Sequence, residues 1–119
     1  MKFLRRAAAL VANLWRAAAW TVEGWRRRDV KVVFVDEEPK HLQRNLLYVR
    51  QGAGRPAFGY LACPCGCGAT LHLRFVGARR PRWVLSLDRN GRATLQPSVW
   101  RGAGCGSHFF VCAGRIVWC

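Results

Sequence analysis

The stretch Ser107-His-Phe-Phe-Val-Cys-Ala-Gly-Arg-Ile-Val-Trp118 decides the fold. Two short runs rich in aromatic and β-branched residues flank Ala113-Gly114, and that pattern reads as a β-hairpin. Working back along the chain, Asp88-Arg-Asn-Gly91 is a second hairpin turn, with Gly91 supplying a positive φ. It joins a strand over Arg82–Leu87 to one over Ala93–Gln96. Thr70–Phe75, Leu46–Arg50 and Val30–Val35 also read as strands, Ala57–Ala62 leads into a cysteine cluster, and from Val30 onward the apolar period is two. Gly77-Ala-Arg-Arg-Pro81, Gln51-Gly-Ala-Gly-Arg-Pro56 and Asp36-Glu-Glu-Pro39 break them, and residues 42–46 read as a short helical turn. Seven or eight short strands without an internal repeat imply a small all-β domain over residues 29–119.

Residues 1–28 follow a different rule. They hold no Pro, one Gly, seven Ala, and seven basic residues against one acid. At about 100° per residue, Phe3, Leu4, Leu10, Val11, Leu14, Trp15, Val22 and Trp25 fall on one arc. Lys2, Arg5, Arg6, Arg16, Glu23 and Arg27 fall opposite. The segment reads as a basic amphipathic helix ending in an Arg26-Arg27-Arg28-Asp29 linker. Asn13 and Arg16 interrupt its apolar face, which excludes a secretory core or a bilayer span. Two uses stay open: lying in an anionic membrane interface, or packing on the domain or on a second copy.

The chain has 119 residues, a formal net charge of +14 and 51% hydrophobic residues. That length excludes a (β/α)₈ barrel, and the apolar content excludes a disordered polybasic tail. Of the 20 basic residues 17 are Arg, which points to anionic partners or to Arg-rich solvated faces. Arg79-Arg80-Pro-Arg-Trp83 and Trp100-Arg101 pair basic residues with rings, as single-stranded nucleic-acid sites do. The plainer reading takes Trp83 into the core and leaves the arginines on a solvated turn.

Of six cysteines, three fall in Cys63-Pro-Cys-Gly-Cys-Gly68. Cysteines one residue apart cannot easily bridge each other, so a metal site in a reducing compartment, the cytoplasm, is favoured over disulfides. Structural zinc takes four tetrahedral thiolate or imidazole ligands. Gly66 and Gly68 can turn the loop back on itself, and Cys105 sits in a second flexible turn, Gly102-Ala-Gly-Cys-Gly106. The expected ligands are Cys63, Cys65, Cys67 and Cys105, with Cys119 and His108 as substitutes. Cys112, between apolar neighbours, reads as a small core residue. Zinc here would supply the folding free energy that so small a core lacks.

Ser98, Ser107 and His108 form the other constellation. Consecutive strand residues face opposite sides, so Ser107 and His108 would not meet. Spacing therefore favours Ser98, on Pro97-Ser98-Val99-Trp100, as the partner of His108. Asp36, Glu37, Glu38 or Asp88 would orient the ring. Spacing alone leaves this short of catalysis, since a turn serine is usually a cap.

Val33-Phe-Val35 with its following acids and Pro39, Leu47-Tyr-Val49, the Cys63–Gly68 knuckle, Arg82-Trp83, Pro97–Trp100, Cys105–Phe110 and Gly114–Cys119 together resemble a bacterial family catalogued as a domain of unknown function. The likeness spans residues 30–119. Members accompany bacterial ubiquitination-like operons and look like serine-type peptidases that process the ubiquitin-like protein or remove it from targets. The resemblance implies a serine-type hydrolase with Ser98 as nucleophile, His108 as base and Ser107 as a further catalytic candidate. It also implies a metal, structural zinc, at Cys63, Cys65, Cys67 and Cys105, and a ubiquitin-like or other protein substrate. The alternative is a non-catalytic zinc-binding module whose basic surface docks nucleic acid or an acidic protein.

Overall fold

The computed structural model describes residues 29–119; the amphipathic segment 1–28 lies outside the described residues. Among the described residues, eight strands form two four-stranded sheets. The first holds β1 (Lys31–Val35), β2 (Leu46–Gly52), β3 (Arg55–Ala62) and β4 (Thr70–Arg74) in that order. The second holds β5 (Val84–Leu87), β6 (Ala93–Trp100), β7 (His108–Cys112) and β8 (Arg115–Trp118), also in chain order. Every neighbouring pair is antiparallel except β1 and β2, which run parallel. A parallel pair needs a crossover. Residues 36–45 supply it as an irregular loop, and Asn45 in the left-handed region (φ 63°) feeds β2. The helical turn expected over residues 42–46 is therefore absent; Gln43 N–H donates instead to the Tyr48 hydroxyl (3.1 Å).

Period-two alternation builds the core. Leu47, Val49, Leu61, Leu71 and Leu73 of the first sheet join Leu95, Val99, Phe109, Val111 and Ile116 of the second in one buried cluster. Trp83, buried as expected, closes the cluster where the chain passes from β4 to β5. Phe109 is wholly buried, and its truncation to Ala would cost about 3–5 kcal/mol. The sheets are stitched at one end: Val30 N–H, just before β1, donates to Gly114 O (2.6 Å), whose own N–H is held by Ala93 O of β6 (2.8 Å). Ala113 (φ 46°) and Gly114 (φ 79°) both take positive φ, the geometry a two-residue hairpin demands. Among the described residues no helix is long and apolar enough to cross a membrane.

Two features of the second sheet set the site. Leu95 pairs with Val111 and Val99 with Phe109, so four positions of β6 span two of β7. The extra residues bulge at Gln96-Pro97-Ser98 and bring Ser98 to the outer face. On β7 the alternation turns Phe109 and Val111 inward and leaves His108, Phe110 and Cys112 outside. Cys112 is accordingly exposed, not a core residue. Apolar neighbours predicted a core position, but strand parity outranks them.

Candidate active site and metal centre

Trp100 and His108 are directly paired across β6 and β7, and Ser98 shares their face. Ser98 Oγ lies 2.7 Å from His108 Nε2. The ring is walled by aromatics on both sides. Trp100 stands 6.2 Å away, tilted by 43°, and Phe110 stands 6.4 Å away, near-parallel at 28°. Below the pair, Trp83 Nε1–H donates to the Ser98 carbonyl (3.3 Å), fixing the bulge from the core side. Both residues of the pair are half-buried. A cavity of about 570 Å³ lined by Val32, Phe34, Leu87, Arg92 and Arg115 is lined by neither. The pair sits on an open sheet face.

The carboxylates expected to orient the ring are elsewhere. Glu38 Oε1 is 2.8 Å from His72 Nε2. Asp88 Oδ1 accepts from the amides of Asn90 and Arg92 (2.9 Å each) and so caps its own turn. Asp36 and Glu37 are exposed. Among the described residues, His108 is held by ring contacts and strand pairing, without a carboxylate partner. Strand parity puts Phe110 on the face of His108, but the cross-strand register that sets Trp100 beside them is stated by no local pattern.

Ser107 points the other way from His108, as alternation requires, and its Oγ lies 3.1 Å from Cys105 Sγ. The structure therefore separates the two serines. Ser98 meets the imidazole and Ser107 meets the thiols.

The four expected ligands converge. The Sγ atoms of Cys63, Cys65, Cys67 and Cys105 all lie within 4.8 Å of one another. Cys63 Sγ is 3.4 Å from Cys65 Sγ and 3.6 Å from Cys105 Sγ. A tetrahedral zinc with Zn–S bonds of about 2.3 Å sets its sulfurs about 3.8 Å apart, so the cluster fits the ion. Neither Cys119 nor His108 belongs to the converging group, and the imidazole faces Ser98. The knuckle forms because Gly66 (φ 88°) and Gly68 (φ 85°) adopt backbone that L side chains rarely take, and Gly66 N–H closes the turn onto Cys63 O (3.0 Å).

Without metal the thiols differ sharply. Burial, and then the neighbouring thiols, push Cys63 up to about 12. The Ser107 hydroxyl and amide hold Cys105 down at about 6, and the Ser107 hydroxyl also lowers Cys65. Arg44 is a residue the sequence reading missed. Its Nη2 lies 2.8 Å from where a Cβ on Gly66 would stand, and it lines a hollow with Cys63 and Cys65. There its cation would oppose the net negative charge of a metal held by four thiolates. Nothing in the local sequence of the β1–β2 crossover marks it.

A family model described as bacterial ubiquitination-like system serine protease (BubE) matches residues 34–119. No curated protein and no solved structure matches the chain.

Proposed function

The chain belongs to the bacterial ubiquitination-like system serine protease (BubE) family, and on that premise we propose that it is a hydrolase that cleaves a ubiquitin-like protein from its precursor or its targets, with Ser98 as nucleophile and His108 as base. The observation that carries this reading is the 2.7 Å approach of Ser98 Oγ to His108 Nε2 on an open sheet face. For Nε2 to accept the hydroxyl proton, the neutral ring must carry its own proton on Nδ1. Attack of Oγ on the carbonyl carbon passes the hydroxyl proton to Nε2. His108 then donates that proton to the leaving amine as the C–N bond breaks, leaving an ester on Ser98. Water, deprotonated by the same nitrogen, attacks the ester and frees the acid and Ser98. The tilted Trp100 and the near-parallel Phe110 pack beside the ring and hold it in place of a carboxylate.

Cys63, Cys65, Cys67 and Cys105 would hold zinc. Four thiolates leave no open position, so the ion's contribution is a structural cross-link rather than an activated water. Cys105 lies three residues before His108, and the cross-link thus anchors the loop that leads into β7. We assign Ser107 to this loop: its Oγ lies 3.1 Å from the sulfur of Cys105, and it takes no part in the bond-breaking steps. Reduced thiols and a bacterial modification pathway suit a cytoplasmic protein, and its partners are proteins.

The test is cleavage of a linear fusion of the ubiquitin-like protein carrying a C-terminal extension. Ser98→Ala and His108→Ala should each abolish it while the chain stays folded. Cleavage that persists in both variants refutes the assigned roles.

A further inference from the structure

Among the described residues, the edge of β6 beside Ser98 has no strand paired to it. Arg101 N–H donates to Ser107 O (2.8 Å), so Arg101, and with it Val99, directs its backbone groups at β7. Ser98 and Trp100 direct theirs the other way, toward the line of β5. Among the described residues, none pairs along that line there. β5 begins at Val84, opposite Gln96, and the residue before it has already crossed over: Trp83 N–H donates to Arg74 O of β4 (2.8 Å). Among the described residues, only the Trp83 indole N–H reaches back, to the Ser98 carbonyl. The backbone N–H and C=O of Trp100 are thus left facing outward from the sheet. A short stretch of unpaired strand edge lies next to the nucleophile, in register with β5.

The side chain above that edge is as exposed as the backbone. Trp100 is 70% accessible, an unusual placement for so large an apolar surface. It is also held in place. A Cβ on Gly102 would stand 2.8 Å from Trp100 Cζ2 and 2.9 Å from Cε2, so the indole lies flat over a residue with no side chain. Val84, at the end of β5, is 61% exposed on the same face. A small-molecule site would be a cavity with few polar groups. What stands here is an unpaired strand edge, a flat ring and an apolar flank, the elements by which an extended peptide is read: main-chain pairing for affinity, alternate side chains for selectivity.

We propose that an extended polypeptide segment adds as a strand along Ser98–Trp100 of β6, continuing the line of β5, and lays an apolar side chain on Trp100. The inference rests on the Ser98–His108 reading for its orientation toward a scissile bond, and it names the substrate feature that the site selects: an unstructured tail, not a folded surface. Such a tail brings its carbonyls past Ser98 one residue at a time, which suits cleavage next to a compact ubiquitin-like domain.

The experiment uses the full chain carrying Ser98→Ala, so that binding is read without turnover. The probes are fluorescein-labelled, C-amidated hexapeptides from a pooled library with one fixed apolar position. The best binder is then N-methylated at each backbone nitrogen in turn. In an added strand only alternate amides pair with the host, so methylation should weaken binding about tenfold at every second position and little between. Trp100→Ala and Gly102→Ala should each weaken the parent peptide several-fold, and the Trp100 amide should gain protection from hydrogen exchange on binding. Absence of measurable peptide binding, a methylation profile without alternation, or binding indifferent to Trp100 overturns the proposal. The cleavage assay scores the chemistry separately. A chain that binds peptides with the alternating profile but does not cleave keeps the docking edge and loses the nucleophile. One that cleaves without the profile loses the docking edge alone.

Discussion

The thiol knuckle and the Ser98–His108 surface are built by opposite means. The knuckle is made of turns. Gly66 and Gly68 fold one hexapeptide back on itself, and Cys105 arrives from another loop 38 residues after Cys67. The serine–histidine surface is made of strand parity, with one bulge in β6 bringing Ser98 onto the face that already holds Trp100 and His108. A turn-built site has little of its own to hold it and needs a cross-link. A strand-built site inherits its rigidity from a packed core, here Val99 and Phe109 directly beneath. The two meet in residues 101–107, where Ser107 contacts a thiol and the next residue contacts a hydroxyl. On the proposed function, the difference teaches that stability and chemistry are separable in this molecule, although they share a loop.

That separation can be broken by mutation. The largest effect should come from Ser98→Ala and His108→Ala, each lowering turnover by at least about 10³-fold, with the double variant no worse than either single one because the two act as a unit. Their melting temperatures should stay within about 3 °C of the parent, since neither side chain is in the buried core. Cys63→Ser should do the reverse. It should lower the metal content and cost several kcal/mol of stability, a fall in melting temperature of at least about 15 °C by calorimetry. Loss of metal in Ser98→Ala would show that the regions are one unit after all.

A finer prediction concerns protons. A thiol held at about 12 keeps its proton at neutral pH, whereas one at about 6 has already lost most of its own. Loading zinc at pH 7 must therefore expel the proton of Cys63 while costing little at Cys105. Titration calorimetry in buffers of different ionisation heat should show net proton release, and apparent affinity should rise with pH from 6 to 8. The smallest effect belongs to the hairpin far from both sites. Ala113, a non-glycine residue at φ 46°, should gain about 0.5–1 kcal/mol on replacement by Gly, a rise of a few degrees in melting temperature with turnover unchanged.

The strands were legible because their alternation is strong, and the observed elements lie within a few residues of those read from the sequence, except that β6 runs on through Pro97 to Trp100. That extension was hidden by proline, which argues against a strand interior unless a bulge accommodates it. The four thiols were legible because Cys-Pro-Cys-Gly-Cys-Gly has few other uses, and the Ser98–His108 approach because parity forbade Ser107. Arg44 and the aromatic walls were not. Each reaches its place by a crossover or a cross-strand pairing whose register no local pattern states. The missing carboxylate was an expectation borrowed from triads. Asp88 was claimed by its own turn and Glu38 by His72.

Reaction of the zinc-loaded full chain with a fluorophosphonate, followed by peptide mapping, bears most directly on the claim that Ser98 is activated by His108. One phosphonyl adduct on Ser98, lost in His108→Ala and retained in Ser107→Ala, is the predicted result. An adduct on Ser107, or unchanged labelling of Ser98 without the imidazole, would contradict it.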